Sequence, residues 1–272
     1  MSPERPVITF LSDYGLQDDF VGLCHGVMAI LCPEARVIDI THGIPRQDVR
    51  VGAIILADSL PYTPAGVHVA VVDPDVGARR RAVALRLSDD RLLVGPDNGL
   101  LWPAAQQAGG VVQAVDIARS TFRLEPVSAT FHGRDIFAPV AARLAAGAEL
   151  AEAGDPVDPR ELVPLELPRP RVEDGWLVAH MLYVDRFGNV QLDAGHDDLE
   201  GADLRMGRGV VLRDASGQTH SCPFARTFAD ARPGELLLYE DASRRLAVAV
   251  SHGDAGARLG ARIDDELWVR PA

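Results

Sequence analysis

Apolar positions along the first half of the chain switch repeatedly between two periods. Val7-Ile8-Thr9-Phe10-Leu11 is a short β-branched run ending in the turn-like Ser12-Asp13-Tyr14-Gly15, which predicts a strand. Phe20, Val21, Leu23, Val27, Met28 and Leu31 then recur at helical spacing behind Asp18 and Asp19, residues that favour a helix start. Residues 36–40 predict a second strand, and Asp48 opens a second amphipathic helix through Val51, Ile54, Ile55 and Leu60. Residues 67–72 are apolar almost throughout, as expected of a strand buried on both faces. Strands near 82–87, 92–95 and 111–115 and helices near 100–107 and 135–146 follow. Strands interleaved with helices predict a mostly parallel α/β sheet.

The pattern changes at 154–171, where Pro156, Pro159, Pro164, Pro168 and Pro170 are too many for a helix interior or a central strand. This predicts an α/β domain over 1–155, a proline-rich linker over 156–171 and a second domain over 172–272. In that second part, short runs at 177–184, 209–212, 236–239 and 246–250, separated by Gly and Asp turns, predict a smaller all-β domain.

Composition narrows the function further. The 272 residues are 47% hydrophobic and 24% charged, the mix of a globular chain with material for a core. A formal charge of -12 argues against a grip on nucleic acid or anionic lipid. No run approaches the roughly 18 apolar residues of a membrane span. Met1-Ser2-Pro3-Glu4-Arg5-Pro6 lacks a secretory apolar region, so a cytoplasmic setting is expected. All 27 basic residues are arginine, and the absence of lysine excludes Schiff-base chemistry, pyridoxal phosphate attachment and a Walker lysine. Cys24, Cys32 and Cys222 lie at no metal-ligand spacing and read as buried small hydrophobes. The histidines other than His132 show no ligand pairing such as i, i+4 with a carboxylate, so no metal site is predicted.

Ligands of parallel α/β sheets gather at the carboxyl ends of strands. Three polar clusters fall at such ends: Ser12-Asp13-Tyr14-Gly15, the stretch from Asp73 to Arg80, and Phe131-His132-Gly133-Arg134-Asp135. Each has a plain reading. Asp73 heads an Asp-Pro turn, Arg80 sits in the run Arg79-Arg80-Arg81, His132 starts a helix, and Asp13 makes an Asx turn. Their convergence favours an acid, a base and a cation acting together, with Asp13 placed to hold ribose hydroxyls. Asp185-Arg186-Phe187-Gly188-Asn189 is either a tight turn with a core Phe or a ring that stacks a base beside an amide that reads its edge. Asn98, in Asn98-Gly99, reads as a turn residue serving the backbone. Neither Gly-x-Gly-x-x-Gly nor Gly-x-Ser-x-Gly is present, against a dinucleotide fingerprint and a hydrolase elbow.

Taken as a set, the strings Phe10-Leu11-Ser12-Asp13-Tyr14-Gly15, Val72-Asp73-Pro74-x-Val76-Gly77, Gly95-Pro96-Asp97-Asn98-Gly99, Thr130-Phe131-His132-Gly133-Arg134-Asp135-Ile136-Phe137 and Phe187-Gly188-Asn189 resemble one family over nearly the whole chain. It is the S-adenosylmethionine hydroxide adenosyltransferases, adenosine-forming hydrolases related to fluorinases and chlorinases. The resemblance implies an N-terminal α/β domain, a C-terminal barrel-like β domain, and a homotrimer holding its small-molecule substrate at subunit interfaces. It implies hydrolysis of S-adenosyl-L-methionine to adenosine and L-methionine, with no cofactor.

It also implies roles for particular residues. Asp73, Arg80 and His132 match the catalytic set, with His132 and Asp73 orienting a water and taking its proton and Arg80 holding Asp73 ionised. Asp13 matches the ribose-binding acid. Asp185, Phe187 and Asn189 match contacts to the methionine part and adenine, and Ser243 and Val250 fall in a substrate-lining stretch. Fluorinases carry Tyr and Thr where this chain has Asp73 and Val76, and Tyr-Ser where it has His132-Gly133. A carboxylate repels a halide and pairs with a water proton, which favours hydrolysis over halide-dependent adenosyl transfer. The intact polar set likewise disfavours a non-catalytic adenosine or S-adenosylmethionine sensor. The chain departs from the family at Asp75, where Gly is usual, at Ala242-Ser243-Arg244-Arg245-Leu246 in place of Ser-Ser-Gly-Tyr-Leu, and at Ala247, where an acid is common.

Overall fold

The computed structural model describes residues 5–272, and most of the N-terminal stretch behind the cytoplasmic expectation, Met1 to Glu4, lies outside the described residues. The chain forms two compact units, the first ending at Leu165 and the second spanning Glu166–Ala272.

In the first unit, β1 (Val7–Ser12), β2 (Arg36–Thr41), β3 (Val67–Val71), β4 (Ala82–Leu87), β5 (Leu92–Pro96), β6 (Val111–Asp116) and β7 (Asp155–Val157) make one sheet in the order β2-β1-β3-β5-β4-β6-β7. The helices are α1 (Phe20–Leu31), α2 (Val49–Ser59), α3 (Trp102–Gln107) and α4 (Ala138–Ala145). Asp48 caps α2 as its position predicts, its carboxylate accepting from the Val51 N–H at 2.9 Å. Asp19 precedes α1 without a side-chain cap. Ile8, Phe10, Met28, Val69, Val94 and Phe137 are among the core residues, and the small Ala138, Ala141 and Ala142 let α4 lie close on α1.

The sheet is mixed, which corrects the expectation of a mostly parallel one. β1 pairs in parallel with β2 and β3, and β3 with β5, while β4–β5, β4–β6 and β6–β7 are antiparallel. The cause is local. Only Ser88-Asp89-Asp90-Arg91 joins β4 to β5, with Asp90 at φ 67°. So short a link closes a hairpin, whereas a parallel return needs a crossover of about a dozen residues.

The proline-rich stretch is partly built into this unit. Pro156 lies on β7, an edge strand, where a missing N–H is tolerated. Leu162 is buried, the Val163 N–H donates to Asp97 Oδ1 at 2.8 Å, and Arg81 pairs with both Asp97 and Glu161. The chain therefore leaves the first unit at Leu165 rather than near 155.

The second unit is antiparallel. Its strands are β8 (Arg171–Glu173), β9 (Trp176–Val184), β10 (Val190–Gly195), β11 (Gly209–Arg213), β12 (Thr219–Pro223), β13 (Leu236–Glu240), β14 (Arg245–Val250) and β15 (Glu266–Pro271), with one short helix, α5 (Ala255–Leu259). The order is β12-β11-β15-β9-β10-β14-β13, with β8 beside β9. A bridge between Phe224 and Leu238 links the two ends of this order, so the sheet nearly closes into a barrel around Leu177, Leu192, Leu212, Phe224, Leu238 and Val248. Cys24, Cys32 and Cys222 are buried free thiols. Among the described residues no helix is long and apolar enough to cross a membrane.

Candidate active site

β3 is buried along its whole length and delivers Asp73 just beyond its carboxyl end. Asn98 pins that end, its Nδ2 donating to the Val72 carbonyl at 2.9 Å and its Oδ1 accepting from the Leu100 N–H at 3.2 Å. The chain then turns back so that Arg80 faces Asp73. Gly77, and not Asp75, takes the positive φ of this turn (80°), so the departure at Asp75 costs no backbone freedom. A Cβ at Gly77 would also lie 2.5 Å from the Ala129 carbonyl oxygen. The turn and the loop before His132 thus pack against each other through a missing side chain.

Arg80 Nε donates to both Asp73 carboxylate oxygens at 3.0 Å, and its Nη2 donates to Oδ2 as well. A planar guanidinium fork matches a carboxylate in this way and adds direction to the charge attraction. The two side chains are only 8% and 5% exposed, and the Arg80 guanidinium carbon lies 5.4 Å from the Phe137 ring centroid. His132 immediately precedes the helical segment Gly133–Phe137, and its Nδ1 lies 2.8 Å from the same Arg80 Nη2. Guanidinium nitrogens only donate, so Nδ1 is the acceptor and the ring proton sits on Nε2. Asp135 ties down this loop, accepting from the Ser128 N–H at 2.8 Å and from Arg134 Nε at 2.6 Å.

Burial, and after it the positive charge of Arg80, pushes the His132 imidazole below the ordinary value of 6.5. It is therefore neutral at pH 7. Protonating Nδ1 would turn an acceptor into a donor facing a cation and break the contact. Catalytic activity is accordingly expected to be on its plateau at neutral pH and to fall as pH drops through a midpoint below 6.5. A kcat/KM profile whose acid limb sits at or above 6.5 would contradict the neutral ring.

β1 brings two more groups. Asp13 Oδ2 accepts from the Gln47 N–H at 2.8 Å. Tyr14 packs among Phe10, Phe20 and Phe131, with ring centroids 5.8 to 6.2 Å apart. Burial, with Cys24, Asp13 and Asp73 adding to it, raises the Tyr14 hydroxyl well above 10.0, so it stays protonated. This hydroxyl lies over Gly133: a Cβ there would sit 2.1 Å from Tyr14 Oη. Sequence reading passed over Tyr14 as a functional residue. The available signal was the glycine directly after His132.

The second unit holds the remaining candidates. Asp185 shapes its own turn, Oδ1 accepting from the N–H of Phe187 (2.8 Å) and of Asn189 (2.9 Å) and Oδ2 accepting from Asn189 Nδ2 (2.8 Å). Phe187 is 70% exposed, which rules out a core Phe. With Asn189, Phe228, Val250, His252 and Gly253 it lines an open pocket of about 620 Å³. Phe228 and His252 escaped the sequence reading because no motif surrounds them. Ser243 is not brought to this pocket. Its N–H donates to Asp241 Oδ1 at 2.9 Å in the tight turn before β14, whereas Val250 ends that strand. Arg244 at φ 63° completes the turn, and its position keeps Ser243 at the far end.

The chain matches the SAM hydroxide adenosyltransferase N-terminal domain over residues 8–154 and the corresponding C-terminal domain over residues 179–268. It is 52% identical to a Salinispora tropica protein named (R)-S-adenosyl-L-methionine hydrolase, covering 99% of each chain. A protein of the same name from Salinispora arenicola is 52% identical, with 97% of each chain covered. The crystal structure of an uncharacterized conserved protein from Thermotoga maritima superposes with a TM-score of 0.90 at 34% identity, covering 97% of this chain and 99% of that one.

Proposed function

The chain belongs to the SAM hydroxide adenosyltransferase family, and from that membership we propose that it hydrolyses (R)-S-adenosyl-L-methionine to adenosine and L-methionine. The observation that carries the reading is the Asp73–Arg80–His132 set, an ion pair and a neutral imidazole within hydrogen-bond reach at the carboxyl end of β3.

The reaction is in-line displacement at C5′. A water oxygen bonds to C5′, the C5′–S bond breaks, and its electron pair stays on sulfur as the neutral thioether of methionine. One water proton is given up. The leaving group needs no acid, so the protein's work is confined to the nucleophile. Both oxygens of Asp73 face Arg80; Oδ2 accepts from Nε and Nη2, whereas Oδ1 accepts from Nε alone and keeps a lone pair for the water proton. His132 has its Nδ1 lone pair committed to Arg80, so it holds the water through Nε2–H and Asp73 is the proton acceptor. Arg80 fixes both partners at once. A hydroxide-like oxygen meeting a sulfonium loses charge, and a dry pocket favours that step. Holding the reactants in line supplies up to about 7–11 kcal/mol. No cofactor enters.

In this reading Asp13 holds the ribose, and Phe187 and Asn189 hold the adenine, with Phe228 lining the same pocket. Asp185 acts on the substrate side through the turn it shapes. A homotrimer with substrate at subunit interfaces and a cytoplasmic setting complete the proposal. The test is to incubate the purified protein with (R)-S-adenosyl-L-methionine, with and without chloride or fluoride, and to separate the products. Equal amounts of adenosine and methionine, indifferent to halide, are expected. Halogenated adenosine would instead mark a halide-dependent transferase, and unchanged substrate a sensor.

A further inference from the structure

Outside the Asp73 set, a second group of ligating side chains meets in the first unit. His25 on α1 and His42, just beyond β2, converge on Asp39 of β2. His25 Nε2 lies 2.8 Å and His42 Nε2 3.1 Å from the same oxygen, Asp39 Oδ1. One ligating atom from each residue lies within 4.8 Å of the others. Spacing along the chain concealed the group, because a helix and an adjoining strand supply it rather than one helix face.

The imidazoles are held from behind. Ser12 Oγ lies 2.7 Å from His42 Nδ1. The Phe10 ring meets His42 edge-on at 4.7 Å and lies 6.2 Å from His25. The His42 side chain is 2% exposed. Its Nε2 is buried without a hydrogen bond, since its approach to Asp39 lacks the alignment one requires. Here is a buried, oriented nitrogen aimed at a carboxylate and a second imidazole, with its hydrogen-bonding capacity unused.

Two imidazole nitrogens and one carboxylate oxygen are a donor set for divalent first-row transition ions, which they bind at about 2.0–2.2 Å. Tetrahedral ligands at such lengths stand roughly 3.3 Å apart, so the two contacts to Asp39 open by a few tenths of an ångström, and the two imidazole nitrogens already lie within 4.8 Å of each other. His25 and Asp39 are 36% and 39% exposed at their side chains, giving an ion a route in and leaving a coordination position for water. The Ser12 contact to the other nitrogen of His42 is the outer partner that fixes a ligand's orientation.

We propose that His25, Asp39 and His42 bind a divalent transition-metal ion of the zinc type, tying α1 to the end of β2. The test uses the full chain without a histidine tag, stripped with a chelator and titrated with Co²⁺, whose visible absorption reports coordination, and then with Zn²⁺. A saturable spectrum at a single ion per chain, bleached by Zn²⁺, is expected. His25→Ala and Asp39→Asn are each expected to weaken Co²⁺ binding about 10-fold or more while keeping the parent far-UV circular dichroism. No saturable spectrum in the parent chain up to about 1 mM Co²⁺, or parent-like affinity in either variant, would overturn the site.

Discussion

Asp73→Ala is expected to lower the turnover of S-adenosylmethionine by about 10²-fold or more while substrate still binds. In the proposed mechanism the variant removes the proton acceptor. It also strips Arg80, a side chain only 8% exposed, of the carboxylate that takes three of its hydrogen bonds. An uncompensated buried cation is costly, so some loss of stability accompanies the loss of rate. Asp73→Asn removes the same charge and basicity without opening a cavity, so a comparable rate loss in it assigns the effect to the carboxylate rather than to lost packing. Single-turnover kinetics beside calorimetric binding of the substrate make the measurement. A parent rate in both variants would remove Asp73 from the chemistry.

Gly133→Ala is expected to cost about 1–3 kcal/mol of stability and to depress turnover with it. Its Cβ would lie 2.1 Å from Tyr14 Oη, 3.0 Å from Cζ and 3.2 Å from Cε2. The tyrosine ring has little room to yield, being edge-packed between Phe10 and Phe131 and against Phe20. The strain therefore falls on the backbone beside His132, whose Nδ1 must stay within reach of Arg80. Adding Tyr14→Phe deletes the nearest atom and leaves the 3.0 Å contact, so the double variant should recover part of the loss. Urea midpoints and kcat for the two variants decide this. A Gly133→Ala protein as stable and active as the parent would mean that Tyr14 moves freely.

Much of the first unit was legible because its signals are local. The apolar run of β3 and the helical spacing behind Asp48 announce themselves without partners. Strand direction was not legible in the same way, since it depends on where the Ser88–Arg91 link sends the chain. In the second unit β12 escaped notice because Cys222 alone of its five side chains is buried. The chemistry divides along the same line. Asp73, Arg80 and His132 stand out by residue type at strand ends, but the tautomer of His132 is fixed by a contact with Arg80, 52 positions away. Tyr14 matters through a side chain that Gly133 lacks, and His25 and His42 meet Asp39 only once α1 lies beside β2. Ser243, placed by motif, lies in the turn before β14, at the opposite end of that strand from Val250.

If Asp73 and His132 hold one and the same water, their losses should not multiply. Turnover is to be measured for Asp73→Ala, His132→Ala and the double variant under one set of conditions. The double variant is expected to fall within a few-fold of the slower single variant, as for residues that act as a unit. Losses that multiply across the two positions, or a His132→Ala enzyme that turns over at the parent rate, would contradict a shared nucleophile.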